Sequence, residues 1–129
     1  MNSGKFSIRS RLRSFKFAFN GIWSFIKEEP NARIHLFGAV VAIFLGIILR
    51  ITLLEWSLIA IVAGMVFIAE LINTSLEKIS DIIAPEWNEK IKKAKDYSAA
   101  AVLISAIISL VVGIIIFLPG ILNLFRLTN

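Results

Sequence analysis

The chain has 129 residues, 57% of them hydrophobic, and carries a formal charge of +5 from 14 Lys and Arg against 9 Asp and Glu. That apolar share, with a mean hydropathy of +0.82, lies well above the roughly 45–50% of soluble domains, excludes an ordinary water-soluble fold and points to a membrane protein. No cysteine is present, which excludes disulfides, thiolate catalysis and cysteine-held metals.

The N-terminal segment places Ile8, Leu12, Phe15, Phe19, Ile22 and Ile26 at steps of three and four, with Arg9, Arg13 and Lys16 on one flank and Arg11 on the other. This is one helical stripe edged by basic groups. Such a helix suits the membrane interface beside anionic headgroups, and it equally suits a cytoplasmic helix packed on a partner. The first 30 residues carry charge throughout, so no cleavable leader is expected. Pro30 favours an extended Glu29 and a helix start.

Three apolar stretches follow, at 34–49, 53–71 and 99–118. Each approaches the ~20 residues needed to cross a hydrocarbon core about 30 Å thick. The first two are separated only by RITLLE, so their helices are expected to be antiparallel neighbours. Pro85 is expected to end the second helix or its extension, and the third begins near Asn88 or Glu89 with two charged turns before becoming apolar. The chain, 1–129, thus reads as one all-α membrane unit without an internal repeat. It has three transmembrane helices at 32–50, 53–83 and 89–121, cytoplasmic extensions included, plus an amphipathic surface helix at 6–28. Lys and Arg crowd the N-terminal segment and the loop after the second span. The N terminus and that loop are therefore expected in the cytoplasm and the C terminus outside. No nucleic-acid-binding signature accompanies the positive charge.

The second span ends in AELINTSLEKISD. With Glu70 as zero and ~100° per residue, Asn73 falls at about −60°, Glu77 at about −20° and Asp81 at about +20°, all on one face. Glu70 and Glu77 are roughly 10 Å apart along the axis, the first at the hydrocarbon boundary and the second in the aqueous region. A carboxylate near hydrocarbon is costly to keep ionised, about 2.5–3.5 kcal/mol at a span centre and less near an edge, which makes it a better general base. Glu77 and Asp81 are hard oxygen ligands suited to Mg²⁺ with phosphate oxygens, and Glu29 at the membrane-entry turn is placed to complete such a site. Lys95, beside Asp96 at the same depth on the third helix, suits phosphate charge. The bland alternatives stay open at this point. Glu77, Lys78 and Asp81 also suit a solvated helix end, and Asn73 also suits helix pairing. His35 reads as an interfacial spectator. No G-x-x-x-x-G-K-[ST], kinase-type glycine loop, histidine pair or nucleophile elbow is present.

Glu70-x-x-Asn73-Thr74-Ser75-x-Glu77-x-x-x-Asp81, followed by Ala94-Lys95-Asp96 and the alanines from Ala99, closely resembles the bacterial integral-membrane diacylglycerol kinase family, which includes undecaprenol kinases. Glu29-Pro-Asn-Ala-Arg33-Ile-His35-Leu resembles that family's E-x-N-x-R-I-H-L segment. The resemblance implies a homotrimer in the bacterial inner membrane that transfers the γ-phosphate of MgATP to a lipid hydroxyl of undecaprenol or diacylglycerol. It implies Glu70 as the base, and Glu29 with Glu77 as the Mg²⁺ ligands. It places Asn73, Asp81, Lys95, Asp96, the loop residues Glu86, Trp87 and Asn88, and Phe17 of the surface helix with the nucleotide. Ala99 and Arg33, beside Glu70, fall to the lipid. Two positions depart from the diacylglycerol-specific pattern: Ala99 stands where a serine is expected near the lipid, and Phe17 replaces a polar aromatic. Either Arg9 or Arg11 falls at a further expected arginine contact. The competing expectation is a non-catalytic helical membrane protein whose polar face packs on a partner subunit or lines an ion path.

Overall fold

The computed structural model describes residues 8–126, apart from the side chains of Arg9, Ser10, Phe125 and Arg126. Residues 6 and 7 of the expected surface helix, and the side chain of Arg9, lie outside the described residues. Four helices follow in order: α1 (Ile8–Glu28), α2 (Pro30–Leu49), α3 (Leu53–Ile83) and α4 (Glu89–Arg126).

The breaks between helices have local causes. Glu29 is extended at φ −97° and ψ 117°, as a residue before proline must tend to be, and Pro30 opens α2 with its fixed φ. The α2 helix stops at Arg50, which adopts the left-handed conformation at φ 52° and ψ 48° and donates its N–H back toward Gly46 and Ile47. The expected span to residue 50 therefore ends one residue earlier, with Arg50 as its cap. Thr52 then begins α3 with a capping box. Its hydroxyl accepts from the Glu55 N–H at 3.3 Å, and Glu55 accepts from the Thr52 N–H at 2.7 Å. Pro85 follows Ala84, the C-cap of α3. The α4 helix continues through Pro119 to Arg126, past the expected end at 121.

At ~1.5 Å per residue, α3 is about 46 Å long and α4 about 57 Å, against a hydrocarbon core of about 30 Å. Both must project beyond the bilayer, and their polar ends are the C-terminal turns of α3 and the N-terminal turns of α4. Among the described residues, three helices are long and apolar enough to cross a membrane: α2, α3 and α4. Only 11%, 28% and 11% of their most apolar windows are buried within the chain, so most of each span faces outward. The chain is a multi-pass membrane protein.

The closest packing is between α3 and α4. At the end of the bundle away from the acids, Ile59, Ile116 and Phe117 form a small core with Leu45, Leu49 and Ile121 around it. There α2 and α3 approach so closely that a Cβ added to Gly46 would sit 2.7 Å from the Trp56 ring. At the other end, Phe25 and Ala32 are buried at the α1–α2 elbow. The remainder of the α1 stripe, including Leu12, Phe15, Phe19 and Trp23, is exposed.

Candidate active site

The helical arithmetic places four polar side chains on one face of α3, and the fold buries that face by degrees. Glu70 is 3% exposed and Asn73 7%; Glu77 is half-buried and Asp81 exposed. The acids thus run from a nearly dry position into water along a single helix.

Neighbouring helices supply partners at each level. From α2, His35 Nε2 lies 3.2 Å from Glu70 Oε1. One turn further, Asn73 donates from Nδ2 to Glu77 Oε1 at 3.1 Å and accepts at Oδ1 from the Ser98 hydroxyl of α4 at 2.6 Å. Ser98 also lies 3.0 Å from the Lys95 carbonyl. At the outer end, Lys95 donates to Asp81 at 2.9 Å, and Glu77 adds to the negative field at Lys95. On the other flank, Lys78 reaches Glu28 at 3.1 Å and Glu29 at 3.2 Å, tying the α1–α2 elbow to α3. The Glu28 carboxyl is held below the ordinary carboxylate range, chiefly by the Ser24 hydroxyl and then by Lys78.

The fold therefore lines up Glu70, Asn73, Glu77 and Asp81 on α3 with Lys95 of α4 beside them, and holds Glu29 on the other flank through Lys78. The other candidates stand apart in this chain. Asp96 pairs with Lys92 one turn away at 2.6 Å and is exposed. Asn88 caps α4, accepting from the N–H groups of Lys90 at 3.0 Å and Ile91 at 3.3 Å. Glu86 and Trp87 are exposed in the α3–α4 connection, and Phe17, Arg33 and Ala99 are exposed on their helices.

Among the described residues, no three His, Asp or Glu side chains converge as a closed metal cage. Mg²⁺ does not require one: it is commonly held by one or two carboxylates with substrate phosphates and water. Glu29 and Glu77 fit that donor chemistry, since both are incompletely buried carboxylates whose protein contacts are made through Oε1.

Two contributors escaped the sequence reading. His35 is not a spectator but the partner of Glu70, and an ionisable side chain inside an apolar helix was the available signal. Ser98 gave no signal among the alanines that follow it, because its importance lies in a contact between helices.

An open cleft of about 520 Å³ runs between α2, α3 and α4. Its walls are apolar, with side chains such as Leu45, Val62, Val66 and Phe117, and His35 is the ionisable group among them.

Comparison with known proteins identifies the family. The sequence model of the family described as prokaryotic diacylglycerol kinase matches residues 16–117. The undecaprenol kinase of Bacillus subtilis is 36% identical over 107 residues, covering 83% of this chain and 87% of that protein. The diacylglycerol kinase of Synechocystis sp. is 35% identical over 114 residues, covering 88% of this chain and 65% of its relative. A diacylglycerol kinase of Helicobacter pylori is 31% identical over 110 residues, covering 79% and 85%. These matches set aside the non-catalytic alternative. The chain belongs to the prokaryotic diacylglycerol kinase family and is a lipid kinase.

Proposed function

We propose that this lipid kinase transfers the γ-phosphate of MgATP to the hydroxyl of undecaprenol or diacylglycerol, giving undecaprenyl phosphate or phosphatidic acid. The reaction takes place at the cytoplasmic face of the bacterial inner membrane. The observation that carries the reading is the graded polar face of α3. A nearly buried Glu70 stands two turns from a half-buried Glu77, joined to α2 by His35 and to α4 by the Asn73–Ser98 bond.

Each role follows from depth and chemistry. Glu70, at the edge of the apolar zone, takes the proton of a lipid hydroxyl, which a membrane lipid can present only at that level. Glu77 and Glu29 would hold the Mg²⁺ of the nucleotide, which would supply neutralisation of phosphate charge. Asn73 fixes the Glu77 carboxylate through Nδ2. Lys95 is paired with Asp81, but the pair is exposed, and solvent screens such a pair until it contributes little. Lys95 can therefore turn from Asp81 to phosphate at little cost. Asp81, Asp96, Phe17 and the Glu86–Trp87–Asn88 loop surround the nucleotide, while Arg33 and Ala99 face the lipid.

The same reading covers the rest of the molecule. The basic N-terminal helix lies at the membrane interface, with its exposed Phe and Trp side chains in the headgroup region. Three protomers associate as a homotrimer, which accounts for spans that bury so little of themselves. Small residues Ala99, Ala100, Ala101, Ser105 and Ala106 of α4 permit close helix approach. Purified protein in detergent, given radiolabelled ATP with Mg²⁺ and both lipids, is expected to label one or both. Labelling of neither by folded protein would end the substrate assignment.

A further inference from the structure

The Glu70 side chain is 4% exposed, and among the described residues its hydrogen-bond partner is His35. A buried carboxylate without partners is expensive, so this contact governs how the acid sits. The bond engages Oε1. The second oxygen has no partner among the described residues, yet no buried side-chain oxygen is left unsatisfied there. Oε2 is therefore the oxygen left to accept from an incoming hydroxyl. His35 is 23% exposed, lies on α2, and forms part of the wall of the apolar cleft. The imidazole thus stands between the lipid-like cleft and the acid, on a different helix from the acid it touches.

Resting on the kinase reading above, we propose that His35 is a positioning residue for phosphoryl transfer. Its Nε2–H donates to Glu70 Oε1, fixes the rotamer of that carboxylate and leaves Oε2 aimed at the lipid hydroxyl. An ionised carboxylate only accepts, so the proton of this bond resides on Nε2 whenever Glu70 is ready to act as a base. The proton taken from the lipid passes to Glu70, and His35 neither gains nor loses one. A donor at the Nε2 position is what matters, and glutamine can supply it from a similar point. Leucine cannot.

His35 is the sole histidine of the chain, so its ring nitrogens report without interference. Full-length protein labelled with ¹⁵N-histidine, in detergent, is expected to show the Nε2 resonance moving in Glu70→Gln and staying in place in Glu77→Gln. An Nε2 signal indifferent to Glu70→Gln would overturn the contact. In the lipid-phosphorylation assay, His35→Leu is expected to lower kcat by roughly ten- to a hundredfold, the range of one charge-assisted hydrogen bond, with KM for MgATP little changed. His35→Gln is expected to recover most of the loss. A His35→Gln as inactive as His35→Leu, or a fully active His35→Leu, would overturn the positioning role. Should the leucine variant fail to fold, the glutamine variant and the resonance still decide. If the parent protein phosphorylates neither lipid, the kinase substrate assignment fails, while the resonance tests the contact by itself.

Discussion

The bond between Asn73 and Ser98 is a polar link from α3 to α4 beside the proposed metal-binding carboxylate, and a double-mutant cycle reads its strength. Asn73→Ala removes two interactions: the amide donated to Glu77 at 3.1 Å and the hydroxyl accepted from Ser98 at 2.6 Å. The first goes to a charged group, worth about 1.5–3 kcal/mol, and the second is neutral, worth about 0.5–1.5 kcal/mol. Glu77 is half-buried, so the lower end of the first range applies and the sum is about 2–3 kcal/mol. Ser98→Ala removes that neutral bond together with the same hydroxyl's 3.0 Å contact to the Lys95 carbonyl; it costs about 1 kcal/mol because the Asn73 carbonyl, on a residue 7% exposed, loses its donor. The shared bond is lost in either single variant, so the double variant should be less damaging than the sum by about 0.5–1.5 kcal/mol. Thermal unfolding in detergent measures the stability cycle, and kcat/KM for MgATP measures the same cycle at the site. Asn73→Ala should lower kcat/KM about tenfold or more, since Glu77 then lacks the amide that orients it. Additivity of the two substitutions within about 0.3 kcal/mol in both measurements would refute the contact and the role assigned to it.

Two further expectations test separate parts of the account. Gly46→Leu should destabilise the hairpin end of the bundle by about 1–3 kcal/mol, because a Cβ there already meets the Trp56 ring at 2.7 Å; Trp56→Ala in the same chain should restore part of the loss in a thermal melt. Glu77→Gln should weaken MgATP binding by roughly tenfold, about 1.4 kcal/mol, and shift the Mg²⁺ dependence of turnover; an unchanged dependence would remove Glu77 from the ligand set.

Much of this architecture can be read directly from the chain because the bilayer simplifies the problem. Hydrophobic length located α2, α3 and α4, and Pro30 and Pro85 marked breaks that the backbone keeps. The 3.6-residue period was enough to put Glu70, Asn73 and Glu77 on one face. What escaped depended on contacts between helices. Nothing local to His35 tells that α2 brings its ring to Glu70, 35 positions away, and nothing local to Ser98 tells that it meets Asn73. The expected end of α4 at 121 already ran past Pro119, and the helix goes on to Arg126. Within a membrane, where every unpaired backbone group is costly, the chain stays helical through Pro119. Thr52-x-x-Glu55 was a legible capping box that hydropathy overshadowed, and Asn88, expected beside the nucleotide, is found capping α4.

The central claim is that the nearly buried acid on α3 takes the proton from the lipid, while the carboxylates further out hold the nucleotide. Glu70→Gln preserves shape and removes the basic oxygen. The measurement is lipid phosphorylation beside binding of a non-hydrolysable MgATP analogue, on the same purified preparation. The account predicts turnover lower by about 10²–10⁴-fold with analogue affinity retained. Turnover surviving in Glu70→Gln at near the parental rate would contradict it.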